Sequence, residues 1–226
     1  MPTREIIYYT CNTHDLAIEI PCRVQLRRAS QDIPIISVSR GIDIDYGDKR
    51  IVIQGKFGPR MMFKQILAGI QASTADIVYT CDSDVLYHPS HFTFLPDMKD
   101  VFYYNINVWI CRYPDGHCAW VDDREAGSGV CAYREIALDF YTRRVVQLEK
   151  EKFDHFYEPN PRAIWKSEFP NIDVRHNHNL THARWSPREF IDRRNAKGWK
   201  EAGELPGWGQ IEGRFAEFLK GLENAE

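Results

Sequence analysis

The segment "STADIVYTCDSDVLYHP", residues 73–89, ends an apolar run in two carboxylates two positions apart. In an extended chain residues i and i+2 face the same side, so Asp82 and Asp84 can aim at one point just beyond a strand's end. In open α/β sheets that carboxyl rim is where ligands bind. Two carboxylates so close repel each other unless a cation separates them. Oxygen donors of this kind suit Mg²⁺ or Mn²⁺, ions that usually bridge to phosphates. A solvated strand-exit turn is the simpler alternative, because Asp and Ser are good turn residues. On either reading Ser83 is a spacer, and Tyr87-His88-Pro89 shapes the exit.

Two further groups could do chemistry. "RHNHNLTH" places His176, His178 and His182 close together. Neutral imidazole is a common metal ligand, so these could complete a divalent shell or form a separate His-x-His-x₃-His site of hydrolase type; they could equally be surface histidines. "AWVDDREAGSGVCAYRE" supplies Asp122, Asp123 and Glu125 just before Gly127-Ser128-Gly129. A carboxylate there can take a proton from an attacking hydroxyl, with Asp123 the favoured one; an acidic solvated loop is the alternative.

The elements that must position these groups follow from periodicity. "REIIYYTCN" is a strand that stops at Asn12. Asp15 is placed to cap a helix carrying Leu16, Ile20, Val24 and the neighbours of Ala29 inward, with a kink or broken start at Pro21. "IPIISVS" (33–39) and "RIVIQG" (50–55) are short strands. After the Gly55–Pro59 loop, Met62, Phe63, Ile66, Leu67 and Ile70 recur at helical spacing, and a strand at 76–81 follows. Strand and helix in alternation predict an α/β fold with a parallel sheet. Farther on, 100–113 reads as one strand, 127–135 as a glycine turn entering a helix over 134–152, and "PNIDVRHNHNL" as a late strand. Ile211, Phe215, Phe218, Leu219 and Leu222 mark an amphipathic tail helix.

Composition bounds the rest. At 226 residues one large domain over 1–226 is expected. No run reaches the ~18 apolar residues of a membrane span, and the N-terminus shows no secretion signal, so a cytoplasmic protein, of a bacterial or phage-infected cell, is expected. The six cysteines include no Cys-x-x-Cys pair, so reduced thiols packed as small hydrophobes are expected. A net charge of −3 argues against binding nucleic acid by global charge. The charge is uneven: from 184 to 200, Arg184, Arg188, Arg193, Arg194, Lys197 and Lys200 stand against Glu189 and Asp192. That stretch either meets an anionic ligand or is a solvated helix face.

Residues 55–89 resemble the nucleotide-sugar-binding half of family-2-type glycosyltransferases with the glycosyltransferase A fold. The positions that carry the resemblance are Gly58, Pro59-Arg60, Ala68-Gly69, Asp76-Ile77-Val78 and Asp82-Ser83-Asp84. The resemblance implies a single α/β domain, a mostly parallel Rossmann-like central sheet flanked by helices. Residues 1–100 would bind the nucleotide sugar and 101–226 the acceptor. It implies transfer of a sugar from a nucleoside-diphosphate sugar, UDP-sugars favoured, to an acceptor hydroxyl of a glycan or of a hydroxymethylated DNA base. Mn²⁺ or Mg²⁺ would carry the diphosphate. By likeness Asp84 ligates the metal, Asp82 reaches the metal or the ribose, and His176 completes the shell with His178 in reserve. Thr10 and Asn12 would line the nucleoside pocket, Arg60 would lie near the diphosphate, and Arg40, Asp43 and Asp45 are further contacts. The 122–125 region departs from the family's usual Glu-Asp acceptor motif, so the base stays open among Asp122, Asp123 and Glu125.

Three other functions compete. A sugar-phosphate nucleotidyltransferase wants a glycine-rich loop after the first strand, and "YYTCNTHDL" has no glycine. A histidine-based metallohydrolase would not need the aspartate pair. A sugar-nucleotide binder without activity would not need it intact. Trp185, Trp199 and Trp208, interleaved with the late arginines, could stack on sugars or bases, or belong to the core.

Overall fold

A computed structural model describes residues 1–13, 15–150 and 159–224. The N-terminal part alternates as expected: β1 (Arg4–Thr10), α1 (Leu16–Ser30), β2 (Ile35–Arg40), β3 (Lys49–Ile53), α2 (Pro59–Ala72), β4 (Ile77–Asp82) and a two-residue β5 (Val85–Leu86). There follow β6 (Phe102–Asn105), β7 (Val108–Arg112), β8 (Cys118–Trp120), β9 (Val130–Tyr133), α3 (Arg134–Lys150), β10 (Arg162–Trp165) and β11 (Asn171–Arg175). Strands β12 (Lys200–Ala202), β13 (Glu204–Leu205) and β14 (Gly209–Gln210) and helix α4 (Phe215–Asn224) complete the order. The last two residues of the helix expected over 134–152 lie outside the described residues.

The main sheet has the order β10-β6-β9-β4-β1-β2-β3. It is parallel except at β9, which runs antiparallel to both β4 and β6. The expected α/β architecture, a mostly parallel central sheet with helices on its faces, is therefore met. Central strands buried on both faces read as continuous apolar runs, and residues 6–11 of β1 and its exit are buried throughout. Helices α2 and α3 pack on one face with Ile7, Val38, Phe63, Ile66, Ile70, Val78 and Tyr141. A second sheet, ordered β12-β8-β7-β11-β5, closes a further core with α1 and α4 through Ile18, Cys22, Leu86, Ile172, Val174, Phe215 and Leu219.

Six details differ from the sequence reading. The strand expected over 100–113 is two strands in different sheets. At the break, Asn105 Oδ1 accepts from the backbone N–H of Asn107 (2.9 Å) and of Ser167 (3.2 Å), so a side chain replaces the ladder and redirects the chain. Residues 130–133, read as part of a turn, are the antiparallel strand β9. Helix α1 runs unbroken through Pro21, its sixth residue; Asp15 does cap it, accepting from Ala17 N at 2.9 Å. Its buried face is Ile18, Cys22, Leu26 and Ala29 rather than Leu16, Ile20 and Val24. Buried Glu19 fixes that rotation, accepting from Thr10 Oγ1 (2.7 Å), Tyr8 OH (3.2 Å) and Arg23 Nη2 (2.5 Å). Cys111 and Cys118, opposite each other on β7 and β8 with Cα atoms 4.1 Å apart, form a disulfide. The reduced, packed state holds for the other four cysteines, all buried. Finally, 184–200 is no helix: it holds two short 3₁₀ turns, 187–189 and 193–196.

Gly69 lies where α2 crosses the sheet. A Cβ there would sit 2.3 Å from Ile7 Cγ2 and 3.2 Å from Val38 Cγ2. The helix can approach β1 and β2 this closely only without a side chain, so Gly69→Ala is expected to cost about 1–3 kcal/mol, read as a lower urea midpoint.

His91 is fully buried, its Nδ1 facing the amide nitrogens of Asn105 (3.0 Å) and Asn171 (3.1 Å). Two amide donors make Nδ1 an acceptor, which a proton would abolish. Burial pushes this imidazole down to about 3, against about 6.5 unfolded. Between those values the unfolded chain binds the extra proton, so stability is lost as pH falls from about 6.5 toward 3. Urea titrations at pH 7 and 5 should show this decline, at most about 1.4 kcal/mol per pH unit from this group, and His91→Asn should flatten it.

Candidate active site

A cavity of about 680 Å³ opens at the carboxyl rim of the main sheet, where it faces the second sheet. Its floor is Tyr9 and Cys11 from β1 and its exit, with Asp82 and Asp84 from the end of β4. One wall is apolar, formed by Phe57, Met62, Phe63, Ile66 and Tyr141. The opposite wall is polar: residues 119–128, Asp173 and Arg175 of β11, and part of 179–199.

The two aspartates are held differently. Asp82 is pushed well above the usual carboxylate range, first by burial and then by the charges of Asp84 and Asp173, although Ser83 N donates to it at 2.7 Å. Asp84 is bound into the second sheet: its carbonyl accepts from Val174 N at 2.9 Å, its Oδ2 accepts from Asn179 Nδ2 at 2.7 Å, and His176 Nε2 lies 3.5 Å from the same oxygen. Residues more than ninety positions apart thus meet at Asp84. His176 approaches Asp84 from beside the cavity, its Nδ1 accepting from His178 N at 3.2 Å. His178 is exposed and His182 lines the cavity.

Among the described residues no three His, Cys, Asp or Glu side chains are gathered as a ready-made metal cage. The three histidines therefore do not form the hydrolase-type site, and Asp82, Asp84 and His176 are not gathered as a preformed cage either. For Asp82, Asp84 and His176 the donor chemistry suits Mg²⁺ or Mn²⁺, provided other oxygens fill the coordination sphere.

Asp122, Asp123 and Glu125 all reach the cavity. Asp122 packs on Gly198, whose φ of +68° and lack of Cβ leave room for its carboxylate. Glu125 is paired with Arg162 at 3.1 Å. Asp123 is exposed, in the left-handed region at φ 53°.

The residues read as nucleoside contacts sit one step away. Strand alternation turns Thr10 from the cavity toward Glu19 at 2.7 Å, so Tyr9 and Cys11 line it instead. Asn12 Nδ2 donates to Arg40 O (2.7 Å) and Arg40 Nε to Cys11 O (3.0 Å), which ties the ends of β1 and β2 together beneath the rim. Arg60, in the first turn of α2, is outside the lining residues. Asp43 and Asp45 pair with Arg50 on the surface. Arg184, Arg194, Lys197 and Trp199 do line the cavity; Trp185 instead lies against Arg112, and Trp208 bonds Pro170 O at 2.7 Å.

Sequence reasoning missed four cavity residues: Arg124, Asp173, Arg175 and Asn179. Asp173 Oδ2 accepts from Arg124 Nη2 at 2.6 Å and from Arg175 Nη2 at 2.5 Å. Burial pushes the Arg124 guanidinium down to about 10, against the pull of Asp173. The i, i+2 spacing of Asp173 and Arg175, the same as that of Asp82 and Asp84, was a signal that could have found them.

No protein-family model matches the sequence, and no curated protein matches it. Solved structures do. One, described as a crystal structure of a glycosyltransferase involved in the glycosylation of the major capsid of PBCV-1, aligns with a TM-score of 0.44 at 11% identity, over 73% of this chain and 82% of its own. Another, described as a mycobacterial protein, aligns with a TM-score of 0.44 at 13% identity, over 79% of this chain and 69% of its own. Identities this low transfer no residue role to this chain.

The repulsion between Asp82 and Asp84 can be measured. Asp84→Asn removes one charge while keeping an acceptor for Asn179. In EDTA at pH 7 the variant is expected to be more stable than the wild type by ~0.5–2 kcal/mol, the range of a relieved site. A less stable variant would mean that the attraction of Asp84 to Arg124 and Arg175 outweighs its repulsion by Asp82.

Proposed function

We propose that this protein is a metal-dependent glycosyltransferase that moves a sugar from a nucleoside-diphosphate sugar to an acceptor hydroxyl. The observation that carries the reading is the Asp82-Ser83-Asp84 strand end inside the main cavity, with His176 brought to 3.5 Å from Asp84 by a different sheet. Asp84 and His176, with Asp82 beside them, would hold Mn²⁺ or Mg²⁺, the remaining positions falling to diphosphate oxygens and water. Bound there, the ion supplies neutralising charge for the departing diphosphate.

The apolar wall of Phe57, Met62, Phe63 and Tyr141 is suited to a flat base, and a uridine is the favoured one. In the transfer the acceptor oxygen bonds to the anomeric carbon, and the bond from that carbon to the diphosphate oxygen breaks with its electron pair on the diphosphate. The acceptor proton passes to a carboxylate. Asp123 suits that role best, because Glu125 is engaged by Arg162 and Asp122 lies against Gly198. Arg184, Lys197 and Trp199 on the outer wall suit a sugar or base acceptor, either a glycan or a hydroxymethylated pyrimidine in DNA.

Thermal unfolding with UDP, GDP and their sugars, with and without Mn²⁺, tests the reading. One nucleotide should raise the midpoint in a metal-dependent way, and Asp84→Ala should lose the shift; no shift with any nucleotide would sink the proposal. With radiolabelled sugar nucleotides, glycans and hydroxymethylated duplex DNA compete as acceptors, and label in either identifies the class. On the acceptor that takes label, Asp123→Asn should lower kcat about 10²–10⁴-fold with donor binding intact.

A further inference from the structure

We infer that Arg124 and Arg175 form a guanidinium cradle for the diphosphate of the donor, a second pole of the site facing the aspartate pair. The inference rests on the nucleotide-sugar reading and adds a part to it. Both arginines line the cavity, and both donate to a single carboxylate oxygen, Asp173 Oδ2, at 2.6 and 2.5 Å. Two guanidiniums thus share one buried carboxylate oxygen, and Asp84 is the next negative charge acting on both.

Their hydrogen bonding is incomplete. A guanidinium has five N–H donors in a planar fork. Arg175 uses Nη1 on Thr181 O (3.2 Å) and Oγ1 (3.0 Å) and Nη2 on Asp173, while its Nε is buried without an acceptor among the described residues. Arg124 shows one bond, to Asp173. Asp173 thus acts as a jig that orients two forks from different elements, the loop after β8 and the end of β11. Both guanidiniums line the cavity, where an anionic ligand would share them with Asp173 and Asp84 once a cation offsets the aspartates. The diphosphate is the anionic part of a nucleoside-diphosphate sugar, and planar forks match phosphate oxygens in paired fashion. When the anomeric bond breaks and its electron pair stays on the diphosphate, guanidiniums lining the cavity would stabilise the charge that develops.

Titration calorimetry in EDTA, with inorganic pyrophosphate, UDP and uridine as probes, tests this without metal and without an acceptor. The wild type should bind pyrophosphate. Arg124→Gln should weaken pyrophosphate and UDP at least tenfold and leave uridine unchanged, and Arg124→Lys should recover part of the loss. Equal pyrophosphate affinity in Arg124→Gln and wild type would overturn the cradle. So would a wild type that binds UDP with Mn²⁺ but no pyrophosphate in EDTA, which leaves the nucleotide reading standing. No binding of any probe under either condition would overturn both. Should Arg124→Gln fail to fold, Arg124→Lys decides: it keeps the charge and loses the planar fork, so pyrophosphate should bind several-fold more weakly than to wild type; unchanged binding would overturn the cradle.

Discussion

Two residues of antiparallel ladder hold this site together. Val85 pairs with Asp173 and Leu86 with Ile172, and Val174 N donates to Asp84 O. The chain leaves the main sheet at Asp82 and two residues later is hydrogen-bonded into the second sheet. Everything polar at the cavity floor follows from that short splice. It brings β11, with Asp173 and Arg175, and the loop bearing His176 and Asn179 against the aspartates. A hairpin exit into solvent, the simpler reading of Asp-Ser-Asp, would have left both carboxylates hydrated and far from any partner.

The splice concentrates charge where water is scarce. Asp82, Asp84 and Asp173 lie close enough that each of the other two raises Asp82, on top of its burial. Buried charges persist only when paired and hydrogen-bonded. Asp173 has its pairing in Arg124 and Arg175, and Asp84 has Asn179 and the His176 ring. Asp82 has hydrogen bonds from Ser83 and the Tyr9 hydroxyl but, among the described residues, no ion pair, and its affinity for a proton is raised. Its charge is thus the least compensated of the three, which is what a cation or a proton at this rim would relieve. The fold tolerates the strain because it is built on a sheet packed on both faces, with Glu19, Thr10 and Arg23 closing the polar groups below the rim.

How far the sequence foretold this depends on the range of the interaction. The β1–α1–β2 run, the helix after Pro59 and the Asp82/Asp84 strand end were legible because each is set by local periodicity and caps. Asp15 behaved as local capping chemistry says. What was not legible arises from contacts between distant segments. The rotation of α1 is set by Glu19 meeting Thr10 and Tyr8, so Leu16 faces out although the apolar pattern placed it inward. The split of 100–113 depends on Ser167 reaching back to Asn105. The Cys111–Cys118 pairing depends on strand register, and no Cys-x-x-Cys spacing announced it. Thr10 and Asn12 were placed at the correct strand end but on the wrong side of the alternation, so Tyr9 and Cys11 face the cavity. Arg124 gave no signal of its own, since an arginine in a loop is unremarkable until Asp173 joins it to Arg175.

The central claim is that the strand end at 82–84 is an anchor for a metal-bound nucleoside diphosphate. Crystals soaked with UDP and Mn²⁺ test it directly, because manganese can be located by its anomalous scattering. The account predicts one anomalous peak in the cavity, bonded to an Asp84 carboxylate oxygen and to diphosphate oxygens, with the base against the Phe57–Phe63 wall. A nucleotide bound elsewhere, or manganese in this cavity that makes no bond to Asp84, would contradict it.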